Sequence, residues 1–186
     1  MISFDLTNQF LIAMPSMGDP NFSKTVTYVC AHNDDGAMGI VINRPLEIEL
    51  GEVFEQMNIT STESAANSQP VYQGGPVHRD RGFIIHNPAQ DWESTIQVTS
   101  ELAVSTSRDI LEAMSQGTGP DAALVALGYA GWGAGQLEQE MGQNAWLSGP
   151  ATLEILFHTP AERRWQRAAA EMGVALDSLS NDIGHA

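Results

Sequence analysis

Thr25-Val-Thr-Tyr-Val-Cys-Ala-His-Asn-Asp-Asp-Gly-Ala-Met-Gly-Ile-Val-Ile-Asn-Arg-Pro45 decides the fold class of this chain. Thr25–His32 is rich in Val and Thr, with apolar side chains on alternating faces, which is the composition and period of a strand. Asn33-Asp-Asp-Gly36 is a hairpin turn of the Asp-Gly kind, so Ala37–Asn43 should return antiparallel. Pro45 has no N–H and is expected to end the pairing. A hairpin this early rules out a purely parallel sheet.

Outward from the hairpin, Phe10–Met14 reads as a strand, and Pro15-Ser-Met-Gly-Asp-Pro20 as a turn or a single helical turn. Leu50, Val53, Phe54 and Met57 form the stripe of a short amphipathic helix. Asn58 to Pro70 has almost nothing to bury and reads as a mobile polar loop inside the domain. Strands are expected again at Val71–Gln73, Gly82–His86, Thr95–Thr99 and Leu102–Ser105. Thr106-Ser-Arg-Asp109 starts a helix carrying Ile110, Leu111 and Met114 on one face, with Gly117 as its stop. Asp121–Tyr129 holds Ala-Ala-Leu-Val-Ala-Leu, a run that fits a strand covered on both faces. A glycine-rich turn then leads into a helix over about Gly135 to Met141. Thr159-Pro160-Ala-Glu162 has the form of a capping box with Pro at the first helical position, opening a helix that buries Trp165, Ala169 and Met172 and stops at Gly173. No internal repeat or second core is visible. The expected architecture is one α/β domain of mixed α+β type spanning 1–186, a mixed sheet with helices packed around it.

The chain has 186 residues, 42% hydrophobic and 17% charged, enough for one core and too few for two independent ones. Its 23 acids against 8 Lys plus Arg give a formal charge of −15, which disfavours nucleic acid and anionic membranes as direct partners. The cations are scattered except Arg163, Arg164 and Arg167, which read as a solvated helix face. One cysteine, Cys30, excludes an internal disulfide and suits a reducing compartment. Met1-Ile-Ser-Phe-Asp has no positive region, Phe10–Met14 is too short for a signal core, and nothing approaches the ~18 apolar residues of a membrane span. The cytoplasm is the expected location.

Four stretches could carry chemistry. Gly128-Tyr-Ala-Gly131-Trp132-Gly-Ala-Gly135-Gln136-Leu-Glu138 follows a strand and opens a helix, a place for an anion. Gln136 replaces the third Gly of a dinucleotide loop, no G-K-[ST] is present, and Glu138 and Glu140 repel phosphate. A neutral or polar ligand against an exposed Trp132 stays open beside a tight packing turn. Gly74-Gly75-Pro76 is a sharp corner whose N–H groups either bind a ligand or simply turn the chain. Asn43 and Arg44 end a strand with an amide and a guanidinium, donors for a carboxylate or else a turn and a surface ion pair. His32, His78, His86, His158 and His185 show no H-x-H or H-x-x-x-H pair, so no metal or cofactor is signalled. Cys30 and His32 are expected on one strand face, as a Cys–His nucleophile or as a core thiol beside a strand-end histidine.

In this order the stretches resemble the AlgH/YqgE family of bacterial proteins. The resemblance rests on Phe10-Leu-Ile-Ala-Met-Pro15, Asp19-Pro-Asn-Phe22, Val29-Cys-Ala-His32, Gly36-Ala-Met-Gly-Ile-Val-Ile-Asn-Arg-Pro45, Gly74-Gly-Pro-Val77 and Gly82-Phe-Ile-Ile-His86. Gly131-Trp-Gly-Ala-Gly-Gln-Leu-Glu-Gln-Glu140, Asn144-Ala-Trp146, Trp165 and Gly184-His-Ala186 complete it; the loop 58–70 looks like an insertion. It implies a bifurcated mixed β-sheet, partly barrel-like, surrounded by helices, and no established reaction. The family's name reflects a proposed link to regulation of alginate synthesis. With no basic face or reading helix here, such regulation should be indirect, through a protein or a small ligand.

The leading expectation is a non-enzymatic binding module for a small molecule or protein. Asn43, Arg44, Gly74, Gly75, Pro76, His86, Gly131, Trp132, Gly135, Gln136 and Glu138 are expected to line its pocket. The alternative is an enzyme acting on a small carbonyl or phosphoryl substrate, with His86 as base and Glu138 as acid. A direct DNA-binding regulator ranks last.

Overall fold

The computed structural model describes residues 5–176; His185 and the Gly184-His-Ala186 motif lie outside them. The early hairpin forms as β2 (Val26–Asn33) and β3 (Gly36–Val41), with Asn33 opposite Gly36. On the outer edge of β2 lie β1 (Gln9–Ala13) and then β10 (Trp146–Pro150), both antiparallel. β4 (Pro45–Glu49), α1 (Leu50–Gln56), α2 (Ser64–Asn67) and β5 (Pro70–Gln73) follow β3. Next come β6 (Val77–Asn87), β7 (Thr95–Gln97), β8 (Ala103–Ser105) and α3 (Arg108–Ser115). The long β9 (Ala122–Gly133) and α4 (Gln136–Gly142) precede β10. A π-helical turn, Glu154–His158, leads into α5 (Ala161–Glu171).

β9 organises the sheet. Its last residues pair with β3, its first with β6 in antiparallel register, and Val125–Leu127 with β5 in parallel. β5 enters where β3 peels away: Gly74 N–H donates to Leu127 O at 2.8 Å, and Val41 N–H donates to Gly74 O at 2.8 Å. The sheet therefore forks, and it curls into a half-barrel within a mixed α+β fold. At the fork, a Cβ on Gly75 would collide with the Tyr129 carbonyl, and one on Gly128, at φ +83°, with Gly75 O. Only glycine lets two backbones approach this closely.

The two sheet faces bury separate cores. One holds Tyr28, Cys30, Ile40, Phe83, Ile85 and Leu124 under α5; the other holds Leu50, Phe54, Ile84, Ile110 and Val125 under α1 and α3. A third cluster around Leu11, Val29, Trp132, Leu137 and Trp146 seals the α4 end. Leu124 and Val125 fall into different cores, as a strand covered on both faces requires.

Several local expectations fail for identifiable reasons. Pro45 begins β4 opposite Tyr72, since a first strand residue needs no ladder N–H. In the stretch 58–70, Ile59 is buried, Ser64–Asn67 is helical and Pro70 opens β5. Thr159 makes no capping box, because its hydroxyl donates back to Glu154 O of the π turn at 3.0 Å; Pro160 is the N-cap. Met172 lies 41% exposed, while Arg164, expected in solvent, is only 5% exposed. A bulge at Cys30, between the pairs Val29–Gly39 and Ala31–Met38, breaks the alternation between Cys30 and His32. Cys30 joins the α5-side core, whereas His32 meets Leu6 and Glu138. The Cys–His arrangement is thereby excluded.

Candidate functional site

The glycine-rich stretch is mostly strand. Gly131, Trp132 and Gly133 pair with Met38, Ala37 and Gly36, which leaves Ala134 and Gly135 as the turn and Gly135, at φ +75°, as the N-cap of α4. Trp132 is buried, correcting its expected exposure. Its ring stacks on Phe22 at 6.0 Å and meets Trp146 edge-on at 6.2 Å. Glu140 Oε1 accepts both indole N–H groups, from Trp132 at 3.1 Å and Trp146 at 3.0 Å. Gln136 accepts the Gly133 N–H and donates to Glu140 Oε2, each at 3.0 Å. His32 Nδ1 accepts the Leu6 N–H, so Nε2 carries the proton and donates to Glu138 Oε1 at 3.1 Å. Gln136, Glu138 and Glu140 thus fasten α4 to the sheet.

The other expected residues are also tied into the framework. Asn43 accepts Val26 N–H and donates to Lys24 O; Arg44 donates to the carbonyls of Asn21 at 2.8 Å and Ser23 at 2.9 Å. Burial lowers the Arg44 pKa. Gln73 N–H donates to Arg44 O, so the Arg44 and Gly74-Gly75-Pro76 segments do meet, and Gly75 packs against Tyr129 and Ala130. They meet as packed backbone: Gly74 and Gly75 are buried and Pro76 is half-buried.

His86 is fully buried. A carbonyl can only accept, so Nδ1 donates to Pro88 O at 2.9 Å and Nε2 accepts from Ser105 Oγ at 2.8 Å. Ser105 Oγ then accepts from Thr95 Oγ1 at 2.8 Å, and Thr95 accepts Trp92 N–H. Burial lowers the His86 pKa and holds the ring neutral. The enzyme reading placed His86 and Glu138 as an acid–base pair; here each has its own, different partners. Cys30 donates to Met38 O, and burial pushes its pKa up to about 12, away from a reactive thiolate. Among the described residues no group of three His, Cys, Asp or Glu could hold a metal ion.

Concave surface lies elsewhere, on both faces of the first half of β9. One cleft, of about 430 Å³, has an apolar floor of Ile48, Val53, Met57, Ile84, Leu111, Val125 and Leu127 between α1 and α3. Its mouth carries Asp80, Arg81, Thr106, Ser107 and Arg108. The mouth exists because β6 bulges: Val77 faces Tyr129 but Gly82 faces Leu127, so residues 78–81 arch away from the ladder. Val53 and Met57 were legible as part of a helical stripe, but they border the cleft while Leu50 and Phe54 fill the core.

On the opposite face a cavity of about 350 Å³ is lined by Gln69, Tyr72, Asp121, Leu124, Phe157, His158 and Arg164, among others. Arg164 Nε donates to Thr159 O at 2.9 Å, Nη1 donates to Ile42 O, and the guanidinium lies 5.1 Å from the Tyr72 ring centroid. Nothing in the local sequence marked Arg164 as internal, because the neighbouring Arg163 and Arg167 do face solvent.

A family model described as AlgH-like matches residues 10–177. A UPF0301 protein of Thioalkalivibrio sulfidiphilus is 58% identical over 99% of this chain and 98% of its own length. Another, from Nitrosococcus oceani, is 52% identical over 96% of each chain. The solution structure of the AlgH protein from Pseudomonas aeruginosa superposes with a TM-score of 0.81 at 49% identity, covering 97% of this chain and 95% of that one. A Corynebacterium diphtheriae protein shares the fold at 18% identity, with a TM-score of 0.75.

Proposed function

This chain belongs to the AlgH-like family, and from that premise we propose that it is a non-enzymatic binding module. The supporting observation is the apolar-floored cleft between α1 and α3, the largest of the concave sites described above. An apolar floor under a few polar groups suits a small apolar ligand or an apolar side chain of a partner. Any regulatory role runs through that ligand or partner, since a surface of net charge −15 opposes direct contact with DNA. The enzyme reading loses ground because His86 and Ser105 are sealed in the core and Glu138 is spent on His32.

A fragment screen followed by two-dimensional NMR tests the cleft. Apolar fragments should shift the methyl resonances of Ile84, Leu111 and Leu127 saturably, and Leu127→Asp should abolish those shifts while the fold persists. Saturable shifts confined to other parts of the molecule would overturn this placement.

A further inference from the structure

The second cavity carries a distinct implication. A guanidinium has five N–H donors, and Arg164 commits two of them, to the carbonyls of Thr159 and Ile42. No carboxylate lies within salt-bridge distance of it among the described residues, although the residue is only 5% exposed. A buried cation without an anion is costly to maintain. Here the Tyr72 ring offsets part of that cost, and the uncommitted donors belong to a residue that borders open cavity. A second polar atom in the same lining is also unpartnered: Gln69 Oε1 is buried and accepts nothing. One wall is the π-helical turn that carries Phe157 and His158, a geometry that recurs at functional sites.

We propose that this cavity binds a small organic monocarboxylate bearing a neighbouring hydroxyl. The carboxylate takes the free N–H groups of Arg164, whose planar fork matches it bidentately. On binding, the Gln69 side chain turns its buried, unpartnered Oε1 into the cavity to accept the hydroxyl, and an apolar body rests against Phe157 and Leu124. One guanidinium balances one negative charge. Asp121, in the same lining, opposes a more highly charged phosphate. This site lies across β9 from the cleft and stands or falls apart from it.

Mandelate serves as the probe, with phenylacetate lacking its hydroxyl, methyl mandelate lacking its charge, and inorganic phosphate as the competing anion. In 15N-resolved NMR titrations of the full chain, mandelate should shift the Arg164 Nε–H signal and the Leu124 and Phe157 amides saturably. Methyl mandelate and phosphate should not. Arg164→Lys keeps the charge without the fork and should weaken mandelate by at least about tenfold. Because Arg164 also supports the fold, Gln69→Leu supplies an independent reading. It should weaken mandelate several-fold, leave phenylacetate unchanged, and slightly raise the melting temperature by removing an unsatisfied buried acceptor. Absence of saturable mandelate shifts at these residues, equal response to phosphate, or equal loss of mandelate and phenylacetate in Gln69→Leu overturns the proposal.

Discussion

The two halves of β9 share one backbone and differ in almost everything built on it. The second half, Ala130 to Gly133, pairs with β3, carries a Trp fixed by a carboxylate, and is closed by α4. The first half, Ala122 to Leu127, has a ladder on each edge, yet each face borders a cavity. In the closed half Gly36 of β3 lets the two strands come together, since a Cβ there would strike the Trp132 carbonyl. In the other half plain aliphatic side chains meet covering elements too short to fill the space: α1 and the π turn run 7 and 5 residues. Closure follows from backbone proximity, and concavity from the length of what lies on top.

The largest expected effect sharpens this contrast at Trp132. Trp132→Ala should cost ~3–5 kcal/mol and lower Tm by roughly 6–20 °C, measured by calorimetry. A melt within a degree or two of wild type would make Trp132 a surface wall after all.

Next, Glu140→Ala strips the shared acceptor from two indole N–H groups and should cost about 2 kcal/mol in urea titration. Glu140→Gln retains an acceptor oxygen and should recover most of that loss; equal damage from both would shift the explanation from hydrogen bonding to charge.

His86 probes the first half from its antiparallel neighbour. Its folded pKa is depressed below the usual 6.5, so the unfolded chain binds more protons as pH falls past that value. Stability contributed by the neutral ring is complete above pH 6.5 and is lost as pH falls through the lowered folded value. Melts of wild type and His86→Asn should therefore diverge above pH 6.5 and converge below it; parallel curves would detach the Ser105–His86 chain from stability.

Smaller still, Val53→Ala on the cleft wall should cost under about 1 kcal/mol, because its side chain is only partly buried and borders the cleft. A loss comparable to Trp132→Ala would mean that the cleft closes in solution. At the bottom of the scale, added duplex DNA should leave both halves unperturbed at physiological salt, and tight binding with a steep salt dependence in fluorescence anisotropy would reverse the electrostatic reading.

Much of the framework was legible in the chain because it follows local rules. Asn33-Asp-Asp-Gly36 gave the hairpin, the apolar run at 122–127 gave a strand with two covered faces, and Gly173 follows the end of α5 at φ +77°. The site was less legible. Glycine density at 128–135 looked like ligand contact, whereas Gly128 admits Gly75 at the fork, Gly131 and Gly133 lie in the ladder with β3, and Gly135 caps α4. Trp132 has no local signal of burial, since its partners Phe22 and Trp146 are distant in sequence. The cavities arise from tertiary mismatch, from the arch at 78–81 and from an arginine turned inward, and neither leaves a periodic trace.

The fork between β3, β5 and β9 also governs how the chain can vary. At Gly75 and Gly128 any side chain would enter the opposing backbone, so both positions should reject all nineteen alternatives in a saturation scan. That intolerance would register assembly of the fork alone, with no ligand needed to enforce it. In such a map the positions that report on binding are those where substitution spares abundance and removes function, and the fork glycines cannot be among them.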